Sequence, residues 1–242
     1  MRYDSAEVER YARGDGMPNA RRFRTESVRC KAMGLLALFA LPGCFTYSSY
    51  QSARIVERGD QQGTIAISRS GMFGEDAGDV SWLAIEGGGR FGIAERIDGA
   101  LLLSLFRGVP DNWGAGVVTA DVRVGIIKDR LACTLPVCIT VGDFYLASLR
   151  VQPGLVATLP LGARAEITGS ARAHVFVRIP EVFAMGYTIG LGVTDAAGTW
   201  TLRPEVGWMQ FTGENSGVTY MQYGLGLEGN FRKVKATKER GS

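Results

Sequence analysis

The chain is poor in the residues that most chemistry needs. Its 242 residues include one histidine, His174, and four cysteines. One imidazole and so few thiols cannot furnish the ligands of a zinc site, so no metal is expected. The cysteines beyond residue 44, Cys133 and Cys138, are too few for a disulfide framework. They differ in parity, so one extended strand would point them to opposite faces; only a loop around Pro136 would let them pair. No apolar run approaches the ~20 residues of a spanning helix. No helical period follows Gly87-Gly88-Gly89, so that run is no phosphate loop, and no cofactor is expected. The net charge is only +3, which gives no reason to expect nucleic acid.

What is present begins with Arg21, Arg22, Arg24, Arg29 and Lys31, followed by the short apolar run from Ala32 to Leu41. A basic region, a short apolar region and small residues behind it are the marks of a secretory signal. The stretch Leu41-Pro42-Gly43-Cys44 resembles the lipobox of bacterial lipoproteins. That resemblance implies cleavage before Cys44 and acylation of Cys44. Residues 1–43 are then a signal region with an N-terminal extension, and Met17 is an alternative start to Met1. Residues 44–61, polar and aromatic, read as a lipid-attached tether. Phe45 stands where an aspartate would, by the same resemblance, favour the inner membrane, so passage to the outer membrane is expected.

From Gly63 onward the sequence alternates with a period of two, which places successive side chains on opposite faces of a strand. Thr199–Phe211 sets Trp200, Leu202, Pro204, Val206 and Trp208 against Thr201, Arg203, Glu205 and Gly207. Val182–Val193, Ala163–Val177, Tyr145–Leu159, Val117–Ile126 and Val218–Phe231 alternate in the same way. Gly63–Phe73, Val80–Ala94, Ala100–Arg107 and Leu131–Val141 are weaker candidates. Together these make ten strands without an intervening helix, with eight as the alternative. Arg96-Ile97-Asp98-Gly99, Leu161-Gly162 and Asp195-Ala196-Ala197-Gly198 read as tight turns.

The expected fold is an all-β, antiparallel up-and-down transmembrane barrel over residues 62–231, with a charged tail over 232–242. Segments of about 9–11 residues suit tilted membrane strands, and closure pairs every backbone edge, as lipid requires. The less apolar face then lines the lumen. It carries Arg90, Arg123, Arg150, Arg164, Arg172 and Arg203 beside Glu86, Asp121, Glu166, Glu205 and Glu228, with His174 among them. Trp82, Tyr145, Tyr187, Trp200, Trp208, Tyr223 and Phe231 are candidates for the aromatic girdles. The segment Tyr223 to Phe231 resembles the aromatic-ended last strand of bacterial outer-membrane barrels. That resemblance implies recognition by the barrel-assembly machinery, beside the lipoprotein-export machinery and outer-membrane lipids as partners.

Ser170 and His174 share a face but stand about 13 Å apart along a strand, too far for a catalytic pair. No catalytic residue is expected. The functional expectation is an outer-membrane lipoprotein barrel with a plugged lumen and a structural or envelope-interaction role, both ends of the mature chain being periplasmic. The alternatives are a narrow solute channel, a lipid-modifying barrel enzyme, and a tethered soluble β-barrel that turns its apolar face inward around a small apolar ligand.

Overall fold

The computed structural model describes residues 50–73, 81–109, 114–142, 145–177, 183–212 and 219–231. The export segment, Cys44, Phe45 and residues 232–242 lie outside the described residues. Twelve strand segments follow in order: β1 (Gln61–Phe73), β2 (Ser81–Ala94), β3 (Ile97–Val109), β4 (Gly114–Ile127), β5 (Leu131–Thr134), β6 (Val137–Gly142), β7 (Tyr145–Val151), β8 (Gly154–Pro160), β9 (Ala165–Phe176), β10 (Phe183–Thr194), β11 (Trp200–Phe211) and β12 (Thr219–Phe231).

Every segment pairs antiparallel with its neighbour, and β12 pairs with β1 along its whole length, from Gln61↔Phe231 to Phe73↔Thr219. The segments β5 and β6 both pair with β4 and share one position in the wall. The segments β7 and β8 both pair with β9 and share the next. Twelve segments therefore make ten wall strands in a closed meander, the number the alternation predicts. The two interruptions fall at Leu135-Pro136 and Gln152-Pro153, where proline has no N–H to give the ladder. Neighbouring amides bridge both breaks: Leu135 N donates to the Val122 carbonyl (2.9 Å), Gln152 N to Pro136 (2.8 Å) and Ala173 N to Pro153 (2.9 Å).

At one end, short turns link β2 to β3, β4 to β5, β8 to β9 and β10 to β11, and both β1 and β12 have their outer termini there. The first of these turns corrects the sequence reading. It consists of Glu95 and Arg96 alone, and Ile97, Asp98 and Gly99 already belong to β3.

The outer face is apolar. Ile65, Ile85, Leu101, Leu105, Leu159 and Val141 are each more than half exposed, while the alternate residues on the same strands face a packed interior. A soluble barrel would need the reverse arrangement, so that alternative is set aside. Two rows of outward aromatics bound the apolar band. Trp200 packs edge-on against Phe231 near the short turns, and Tyr187 stacks on Trp208 in the other row. Trp200 and Trp208 are eight positions apart on β11, as are Phe231 and Tyr223 on β12. At ~3.4 Å per residue and ~40° tilt this is about 21 Å along the membrane normal, close to the ~25 Å apolar band of a transmembrane barrel. Trp82 departs from expectation: it shares parity with Glu86 and Arg90, faces inward and is 2% exposed. The side chain of Tyr145 lies outside the described residues.

Candidate functional site

The distinctive chemistry is in the lumen, in two layers. The layer near the short turns is ionic. Arg90 bridges Asp98 (2.5 Å) and Asp121 (2.6 Å), and Asp98 also takes Arg123 (2.8 Å). Thr134 donates to Asp121 at 2.7 Å. On the opposite wall Arg203 pairs with Glu166 at 2.8 Å and approaches Glu228 at 3.9 Å, and Gln62 donates to Glu228 at 2.9 Å. Deeper in, Glu86 accepts from Ser68 and Ser104. Burying a single charge in this way costs several kcal/mol. The sequence meets that cost by placing both signs on inward positions of adjacent strands. The inward carboxylates are Glu86, Asp98, Asp121, Glu166, Glu205 and Glu228; the inward guanidiniums are Arg90, Arg123, Arg150, Arg172 and Arg203.

What completes this layer is the chain itself. Residues 50–56, read from sequence as part of the lipid-attached tether, run into the barrel, with the Arg54 side chain exposed at the mouth. Tyr50, Gln51, Ser52 and Ala53 are 4% exposed or less. Their backbone is held by wall side chains. Tyr50 N donates to Glu205 (3.1 Å), Ala53 N to Thr158 (2.7 Å) and Val56 N to Asp98 (2.9 Å). Arg123 donates to the carbonyls of Ser52 and Arg54, and Arg90 to the amide oxygen of Gln51. Arg54 supplies one more cation, 2.7 Å from Glu166. The physical reason for the correction is that a polar, unpaired backbone is a good partner for a lumen lined with charges. Ala53 packs on Ala132 and Val156, with Ile55 against them. Gly224 and Gly226 make room for Tyr50, since a β-carbon on Gly226 would come within 2.6 Å of the Tyr50 Cβ.

The layer toward the longer connections is mostly apolar. Met72, Trp82, Phe106, Met209, Phe211 and Tyr220 are all 7% exposed or less, and Tyr220 contacts both Trp82 (5.6 Å) and Phe211 (5.4 Å) between ring centres. Arg150 enters this layer over the Phe176 ring at 5.9 Å, and Gln152, with its oxygen turned toward Arg150, accepts from it at 2.7–2.8 Å. Between the layers is a cavity of about 40 Å³ bounded by Gln51, Glu86, Ser104, Thr119, Asp121 and Arg172. That is room for a water molecule or two.

Of the residues expected in the lumen, Glu86, Arg90, Asp121, Arg123, Arg150, Glu166, Arg172, His174, Arg203, Glu205 and Glu228 are there and buried. Arg164 is not. β9 begins at Ala165, so Arg164 shares the inward parity but sits past the rim, exposed in the turn. Sequence reading missed Asp98, which is 0% exposed and joins two arginines; its parity with Ala100 and Ser104 was the available signal. It also missed the aromatic layer and residues 50–56. Ser170 pairs with the Thr188 hydroxyl at 2.7 Å, and neither ring nitrogen of His174 has a hydrogen-bond partner among the described residues. Cys133 faces outward, Cys138 faces inward, and both are free.

No protein-family model matches the chain, and no curated protein matches it. Solved structures do. The translocator domain of the autotransporter NalP from Neisseria meningitidis is 10% identical, with 87% of this chain and 98% of that one covered and a TM-score of 0.43. The outer membrane protease OmpT from Escherichia coli is 11% identical, with 72% and 97% covered and a TM-score of 0.44. An outer membrane channel from Pseudomonas putida F1 is 10% identical, with 77% and 100% covered and a TM-score of 0.44.

Proposed function

We propose that this chain is a lipid-anchored barrel of the bacterial outer membrane, closed to solutes, with a structural or envelope-interaction role. The observation that carries the closed reading is the doubly filled lumen: residues 50–56 tied to buried ion pairs below, aromatic side chains above. The apolar exterior between two aromatic rows supports membrane insertion. A secretory signal ending in Leu41-Pro42-Gly43-Cys44 supports the anchor. Five residues separate Cys44 from Tyr50, six Cα steps with a reach of about 20 Å, enough to bring an acylated Cys44 from the lumen to a membrane face. With the short turns and the C-terminal end in the periplasm, β12 presents its aromatic-ended segment to the barrel-assembly machinery, while Cys44 is served by the lipoprotein-export machinery.

The test is reconstitution into planar bilayers. A closed barrel gives heat-modifiable migration on a denaturing gel and no steady conductance. Stepwise conductance in the unaltered protein would overturn the closed reading in favour of a narrow channel. The anchor is checked separately: labelled fatty acid enters the chain and is lost in Cys44→Ala.

A further inference from the structure

Among the described residues the outer face of the wall is apolar apart from polar side chains near its rims, such as Gln61 and Gln210, and one charged pair. Among the described strand residues, the only charged side chains facing outward are Arg69 on β1 and Arg107 on β3. They share a row: Arg69 pairs with Leu83, and Leu83 pairs with Arg107. Two strand spacings put their backbones about 10 Å apart. The row continues through Tyr223 on β12, level with the upper aromatic girdle. Arg69 reaches further toward the longer connections, its Nη2 lying 3.4 Å from the Ser81 hydroxyl.

The same row runs along an apolar furrow, from Leu83 through Arg69 and Tyr223 to Val206 and Ile189, with Arg107 one strand beyond it. The furrow, of about 930 Å³, is lined by Ile67, Leu83, Ile189, Pro204, Val206 and Leu225, and Arg69 is its outward charge. The strand ladder is interrupted beside the furrow. Pro204 has no N–H, and the β10–β11 ladder runs to Gly190↔Glu205 and resumes only at Val193↔Leu202. Gly190 and Gly224 form the furrow's thin floor.

A lipid-facing arginine is costly at mid-depth and tolerable only near the headgroups. Two of them on one row, the first at the edge of an apolar furrow and the second one strand beyond it, match a molecule with an anionic head and a long apolar tail. We infer that Arg69 and Arg107 hold the phosphate of a lipid in the leaflet at the long-connection end, with one acyl chain lying in the furrow. Guanidinium is the side chain best suited to phosphate, by charge and by paired donors. The inference rests on the membrane-barrel reading above.

The full chain is reconstituted in vesicles of equal phosphatidylglycerol and phosphatidylcholine, checked for flotation, released in mild detergent and weighed intact. Phosphatidylglycerol is retained over phosphatidylcholine by about fivefold, a preference that falls to parity in Arg69→Gln/Arg107→Gln. Leu225→Trp fills the furrow from the outside and lowers retention of both lipids, with the barrel's heat-modifiable migration unchanged. A chain that floats and migrates normally but shows no preference, or keeps it in the double variant, overturns the lipid site alone. Displacement by inorganic phosphate at millimolar concentration overturns it in favour of a free-anion site. A chain that does not float overturns this inference and the membrane reading together.

Discussion

The two halves of the lumen are filled by opposite means. Near the short turns the filling is ionic and includes seven residues of the chain's own backbone, Tyr50 to Val56. Toward the longer connections it is aromatic, with Tyr220 between Trp82 and Phe211. Each filling fits what the wall can offer. Charges inside a barrel need partners, and an entering segment brings amides and carbonyls that no inward side chain supplies. Where no described segment enters, apolar rings fill the space with few polar atoms, Trp82 Nε1 being one that has no hydrogen-bond partner among the described residues. The lower layer should therefore fail sharply when one partner is lost, the upper one in proportion to the volume removed.

Arg123 is the most demanding test of that contrast. Its guanidinium serves Asp98 and the carbonyls of Ser52 and Arg54 at once. Arg123→Ala leaves Asp98, a carboxylate that is 0% exposed, with Arg90 as its remaining guanidinium and removes two of the contacts that hold the segment to the wall. Breaking such a buried pair costs about 3–5 kcal/mol, read as a lowered urea midpoint in lipid vesicles. Arg123→Ala with Asp98→Asn in one chain should recover part of the loss. A loss below ~1 kcal/mol for the single variant would show that water replaces the guanidinium and that the layer is wet.

In the upper layer Phe211→Ala removes a ring that is 1% exposed and leaves a cavity against Tyr220, at a cost of about 3 kcal/mol. The layers are separated along the barrel: on β4, Arg123 is six positions from Val117, or about 20 Å. Distant sites without shared partners add within ~0.5 kcal/mol. The double variant Arg123→Ala/Phe211→Ala should thus lose the sum of the two. A larger interaction energy would show that the layers form one cooperative unit and that the contrast between them is only chemical.

The closed barrel and its charged interior were legible because β-sheet parity is a strict rule. Arg90, Arg172 and Arg203 could be placed from alternation alone, and the structure has each of them buried. Trp82 obeys the same parity and was misread because an aromatic near a strand end was taken for a girdle residue. Arg164 was misread because parity does not say where a strand stops. Asp98 was lost to a turn drawn three residues into β3. Residues 50–56 could not be placed by any such rule. Their sequence, Tyr-Gln-Ser-Ala-Arg-Ile-Val, has no period, and what fixes them is hydrogen bonding to side chains 39 to 155 positions away. Arg69 and Arg107 went unremarked because their meaning lies in the register that aligns them, which is set by the pairing of three strands.

The smallest effect belongs to a carboxylate at the short-turn end but outside the lumen. Asp195 accepts from the amides of Thr199 (2.7 Å) and Trp200 (3.0 Å) in the β10–β11 turn, where Gly198 supplies the left-handed φ of 71°. The Trp200 amide, with that of Thr199 beside it, holds the Asp195 carboxyl below its ordinary range. Because the folded chain favours the charged form, the stability this group contributes is present above the unfolded pKa of about 3.9 and is lost as pH falls through the lower folded value. Asp195→Ala should accordingly be less stable than the parent chain at pH 7, by the smallest margin of the three variants, and the difference should shrink only below about pH 4. Unfolding midpoints measured from pH 7 to 3 give the curve. A difference that persists to pH 3 would assign the effect to the geometry of the turn and none of it to charge. Asp195, open to water, would then share with the buried carboxylates only its end of the barrel.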